Sequence, residues 1–121
     1  MWHEYRRPSE GPYEMKIKYL CTMWGMEQLA LEDNLNLIKD TGFDGVEIQI
    51  PCNSAERNRL GALLNGIGLD LVVQVRAEGS TVDEQVDFLE KKLSSALGLN
   101  LLLANVHCGK DYWPLAENIK V

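Results

Sequence analysis

At 121 residues the chain is long enough for one domain with a real core. Its 45% hydrophobic and 25% charged residues are ordinary for a globular protein, and no apolar run approaches the ~20 residues of a membrane span. The net charge of −6 argues against a general affinity for nucleic acid, which draws on Lys and Arg, and still leaves room for a locally basic pocket that takes a small phosphorylated ligand.

Residues 1–14 are polar, contain Pro8 and Pro12, and lack the apolar stretch of a signal peptide. They read as a poorly ordered extension, with the patterned domain covering residues 15–121 and the protein expected in the cytoplasm. Cys21, Cys52 and Cys108 are far apart and odd in number, and match no zinc-ribbon or iron–sulfur spacing. Reduced thiols are the simplest reading.

From Met15 onward, β-rich runs alternate with amphipathic ones. The first run, Lys16–Met23, precedes a helix whose stripe is Leu31, Leu35 and Ile38. The second, Gly45–Ile50, leads to a helix capped at Asn53, where Glu56 is placed to complete a capping box, with a face of Leu60, Leu63, Leu64 and Ile67. The third, Leu69–Val75, leads to a helix with Thr81 and Glu84 at its start and an apolar face of Val86, Leu89, Leu93 and Leu97. A fourth run, Leu99–His107, is followed by Trp113-Pro114 and the beginning of a fourth helix, in which the chain stops.

Gly42-Phe43-Asp44, Gly68-Leu69-Asp70 and Gly98-Leu99-Asn100 punctuate this pattern at intervals of roughly 30 residues, the length of a βα unit. Each Gly stands where a helix C-cap needs a left-handed residue. Alternating strands and helices predict a parallel sheet. No Gly-rich phosphate loop follows the first strand, where the chain reads Thr22-Met23-Trp24-Gly25-Met26, so a dinucleotide fold is the weaker option. The expected fold is α/β, the first half of a TIM barrel with about four strands and three to four helices.

In parallel α/β folds the chemistry gathers at the carboxyl ends of the strands. Alternation puts Glu47 and Gln49 on one face of the second strand, opposite Val46, Ile48 and Ile50. Gln74 and Arg76 on the third strand, and Asn105 and His107 on the fourth, alternate with apolar neighbours in the same way. A carboxylate, amides, a guanidinium and an imidazole suit a polyhydroxylated ligand, which needs both donors and acceptors. Each has a plainer explanation: Glu47 and Arg76 can form an ion pair, and His107 can be a hydrogen-bonded core histidine. Trp24, Tyr112 and Trp113 can stack on a sugar ring or cover the rim of the core.

The order Asp44-Gly45-Val46-Glu47-Ile48, Gly68-Leu69-Asp70, and Asn105-Val106-His107-Cys108-Gly109-Lys110-Asp111-Tyr112 resembles the xylose isomerase-like TIM-barrel superfamily. More narrowly it is similar to the sugar phosphate isomerase/epimerase group, over residues 15–121. The resemblance implies a divalent metal (Mn2+, Mg2+ or Zn2+) that polarises a sugar while a carboxylate moves a proton between neighbouring carbons. Glu47 would be the catalytic carboxylate. Gln49, Gln74, Arg76, Asn105 and His107 would bind substrate, and His107 is the residue placed to touch the metal. In the family most metal ligands come from later strands, which makes an incomplete, weakly active piece the expectation.

Two alternatives stay open beside the isomerase/epimerase reading. One is a non-catalytic half-barrel that binds a sugar or assembles with a partner. The other is a relative of the superfamily's endonucleases, disfavoured by Arg76 where that branch carries a third-strand histidine and by the acidic charge. Small-molecule sugar ligands are expected, and neither nucleic acid nor membrane. The open edges of a half-barrel also predict self-association or pairing with a complementary half.

Overall fold

A computed structural model of the chain describes residues 15–121; the expected disorder of residues 1–14 lies outside the described residues. The elements are β1 (Leu20–Thr22), α1 (Leu31–Thr41), β2 (Gly45–Gln49), α2 (Ser54–Ile67), β3 (Asp70–Arg76), α3 (Val82–Ser95), β4 (Leu101–His107) and α4 (Leu115–Asn118). The strands form one four-stranded sheet in the order β1-β2-β3-β4, all parallel. β1 is shorter than the β-rich run Lys16–Met23 that foretold it. No described helix is long and apolar enough to cross a membrane.

Why the elements form is largely local. α1 buries Leu35 and Ile38, as its spacing requires, and ends at Gly42 in the left-handed conformation, φ 104°. There the Gly42 N–H donates to the freed carbonyls of Ile38 and Lys39. α2 opens at Asn53, whose side chain accepts from the N–H groups of Ala55 (2.7 Å) and Glu56 (3.3 Å). The return bond expected from Glu56 is not formed, so this cap is half a box. Gly68 closes the helix with φ 82°.

α3 carries the complete box. Thr81 Oγ1 accepts from the Glu84 N–H (3.2 Å), and the Glu84 carboxylate accepts from the N–H groups of Ser80 (2.7 Å) and Thr81 (3.2 Å). Two expectations for this helix need correction. Leu89 and Leu93 face inward as expected, joined by Gln85 and Ala96 and with Phe88 half-buried, whereas Val86 and Leu97 are exposed at 39% and 83%. Gly98 is not a left-handed cap, because α3 ends at Ala96 in a right-handed conformation. Tight turns from Ala96 to Leu93 and from Leu97 to Ser94 already use the terminal carbonyls.

The core lies between the helices and one face of the sheet. Val46, Leu71, Val73 and Val75 meet Leu35, Ile38, Leu60, Leu64 and Leu89 there. Each such aliphatic side chain contributes about 1.5–3 kcal/mol through burial. The aspartates of the repeated triplets serve the opposite end of the sheet from the polar strand ends. Asp44 accepts the Tyr19 N–H at 2.8 Å, and Asp70 pairs with Lys18 at 2.6 Å.

The Ser80 and Thr81 donors hold the Glu84 carboxyl below the ordinary glutamate range, with the Ser80 backbone bond the largest cause. A carboxyl depressed by folding adds stability above its unfolded pKa, and that share is lost as pH falls through its folded pKa. Urea unfolding at about pH 7 and about pH 3 should therefore show a smaller pH-dependent loss in Glu84→Gln than in the parent chain. Equal losses would remove the box from the acid response.

Candidate functional site

Because α1 to α3 cover Val46, Leu71, Val73 and Val75, strand alternation turns the intervening residues to the other face. There the register aligns the polar side chains in rows. Gln49 is level with Gln74, and Gln74 with Asn105, giving three amides across three strands. One step farther along, Arg76 is level with His107. Glu47 is level with Val72 and with Thr22.

Glu47 and Asn105 nevertheless meet. The Asn105 amide donates to Glu47 Oε1 at 3.4 Å, reaching over β3. Both side chains are half-buried, as is Gln74, while Gln49, Arg76 and His107 are exposed. No ion pair joins Glu47 to Arg76 among the described residues. The guanidinium lies instead between two hollows at the carboxyl ends of the strands.

The first hollow, about 240 Å³, is lined by Gln49, Gln74 and Arg76 together with Glu78, Cys52 and Lys92. The second, about 330 Å³, is lined by Arg76, His107, Cys108, Lys110 and Asp111. Glu47 and Asn105 line neither. The structure thus divides the expected residues into a carboxylate–amide pair and two hollows that share Arg76. Each hollow adds a lysine to that guanidinium and a carboxylate beside it, Lys92 with Glu78 in the first and Lys110 with Asp111 in the second.

Lys92, Lys110 and Cys52 were not among the site residues expected from the sequence. Lys92 follows Leu89 on the inward side of α3 and donates to Cys52 Sγ at 3.1 Å. That position is legible only once the stripe is taken through Gln85, Leu89 and Ala96. Of the aromatic rim candidates, Trp24 and Tyr112 are exposed and Trp113 is half-buried.

Among the described residues no three His, Cys, Asp or Glu side chains come together as metal ligands. Glu47 has a carboxamide for its neighbour, and His107 lies in a hollow that Glu47 does not line. These residues do not by themselves assemble the divalent site that the family resemblance implies.

The loop after β4, which carries Cys108 to Asp111 past the second hollow, is held by two side chains. Gln85 is fully buried; its Oε1 accepts the Gly109 N–H at 2.7 Å, and its Nε2 donates to the carbonyls of Gly79 (3.1 Å) and Gly109 (3.4 Å). Asn118 accepts the Lys110 N–H at 2.9 Å and donates back to its carbonyl at 3.0 Å. Gly109 has φ 83°, and a Cβ there would run into the Asn118 carboxamide. Glycine is required on both counts.

Gln85→Leu keeps the volume and strands the Gly79 and Gly109 polar groups. Urea unfolding should show a loss of about 1–3 kcal/mol. The Gly109 amide should exchange with solvent faster while β2 amides keep their protection; an unaltered Gly109 rate would remove Gln85 as the loop's anchor. In the comparisons with known proteins, no family model, no curated protein and no solved structure matches the chain.

Proposed function

We propose that the polar strand ends bind a small sugar or keto-sugar, free or phosphorylated, and that Glu47 is the group that moves a proton on it. The observation that carries this reading is the in-register row Gln49, Gln74 and Asn105 with Glu47 held against Asn105. Carboxamides both donate and accept, which is what adjacent hydroxyl groups need. A carboxylate beside them can take a proton from a carbon next to a carbonyl and return it to the neighbouring carbon, the step common to sugar isomerases and epimerases. The Asn105 amide fixes the direction in which that carboxylate faces. Arg76, flanked by Lys92 in one hollow and Lys110 in the other, supplies the charge for a phosphate.

A second reading has its own support. On the described strands, the carboxyl end of the open face carries one carboxylate, Glu47, where proton transfer between two carbons in this class commonly uses two. Binding without turnover is the function that one carboxylate and several amides support.

The readings separate in one experiment. The chain is incubated in deuterium oxide, with and without Mn2+, with three- to six-carbon aldoses and ketoses, free and phosphorylated, and deuterium at carbon is followed by NMR. The proton-transfer reading expects incorporation that Glu47→Gln abolishes. Ligand-induced shifts without incorporation leave the binding reading, and neither signal with any sugar discards both. For a phosphorylated sugar that binds, Arg76→Ala should weaken affinity about tenfold or more, measured by calorimetry.

A further inference from the structure

Neither β1 nor β4 has a strand on its outer side among the described residues. The sheet face away from the helices also exposes Leu20 and Leu103, at 36% and 62%. Open edges beside apolar side chains are templates for another chain. Two observations say which chain fits.

The first is topological. All the described strands run parallel, and β1 and β4 are the two edges of their sheet. A single two-fold axis along the strand direction sets each β1 beside the β4 of a second copy, in the parallel sense, and pairs every edge at once. A closed symmetric assembly of this kind leaves no strand for further growth.

The second is stagger. Glu47 is level with Val72, and Asn105 is level with Gln74, farther along β3 on the same face. Glu47 and Asn105 still touch across β3 at 3.4 Å. Contact thus advances by about two residues over two strands, and continued around eight strands this gives a shear of about eight, that of a closed parallel barrel.

We propose that a second copy of this chain closes the sheet into an eight-stranded parallel barrel, with the open face as its lumen. The side chains of such a lumen lie in layers drawn from alternate strands, about four to a layer. Glu47 on β2 and Asn105 on β4 are half of one layer, and the second copy supplies the other half. Each Asn105 amide has two N–H donors, so one reaches its own Glu47 and the other reaches the Glu47 of the second copy. The same stagger sets Val106 beside Cys21 of the second copy and His107 beside its Thr22. This surface is independent of the sugar-binding reading and stands or falls without a ligand.

Light scattering on the purified chain should return a discrete species of twice the chain mass. Leu103→Lys places an ammonium in the closed lumen but alters a side chain that a single copy exposes. It should shift the mass to that of one chain with the far-ultraviolet circular dichroism unchanged. Register is tested with Leu103 intact, in a chain carrying Cys52→Ser, Cys108→Ser and Val106→Cys. Neighbouring strands lie about 4.8 Å apart, within reach of a disulfide. Mild oxidation should link Val106→Cys to Cys21 of the second copy, and adding Cys21→Ser should abolish the link. A folded parent chain at single-chain mass overturns the proposal and leaves the edges to strands of another kind. A dimer that never forms this link overturns the barrel closure.

Discussion

The arrangement of the molecule depends on burying one face of β3. Leu71, Val73 and Val75 sit under the helices with almost no exposure. Strand alternation then leaves Val72, Gln74 and Arg76 no choice of face. Because β3 pairs with β2 on one side and β4 on the other, its register also aligns Gln49 and Asn105 with Gln74. A slip of one residue would put the amides among the helices and the valines on the open face, and the loss of core burial forbids it. The polar rows are thus held in place by hydrophobic packing on the reverse side of the same strands.

The two ends of the sheet divide their duties. At the amino ends, Asp44 and Asp70 are occupied by the Tyr19 N–H and by Lys18, contacts that tie β1 to the start of its neighbours. At the carboxyl ends, Arg76 and His107 are exposed at the mouths of the hollows, and the loops beside them are held by Gln85 and Asn118 rather than by Arg76 and His107 themselves. Support and exposure thus fall to different residues at this end of the sheet. Gln85 illustrates the requirement that a buried amide satisfy its donors and acceptor, which it does by joining the loop after β3 to the loop after β4.

The open face and the polar rows belong to one problem. A four-stranded parallel sheet covered on one side leaves two edges and a second face to be accounted for, and parallel sheets are ordinarily covered on both. Leu20 and Leu103 stand exposed on that face beside the half-buried Glu47 and Asn105. Closure by another copy would cover the leucines and enclose the amides together.

Much of this architecture was legible in the chain itself. The alternation of strands and helices, the parallel sheet, the left-handed caps at Gly42 and Gly68, the Thr81–Glu84 box and the facing of Glu47, Gln49, Gln74, Arg76, Asn105 and His107 all follow from local periodicity and capping chemistry, which need only neighbouring residues. Tertiary structure decided the rest. The inward side of α3 runs through Gln85 and Ala96 rather than Val86 and Leu97, because the loop polar groups that Gln85 satisfies are brought to it from distant parts of the chain. Glu47 meets Asn105 and not Arg76, and Lys92 reaches Cys52, because strand stagger and helix placement set which side chains share a neighbourhood. Local pattern determines which face a residue occupies; only the packed sheet decides whom it meets there.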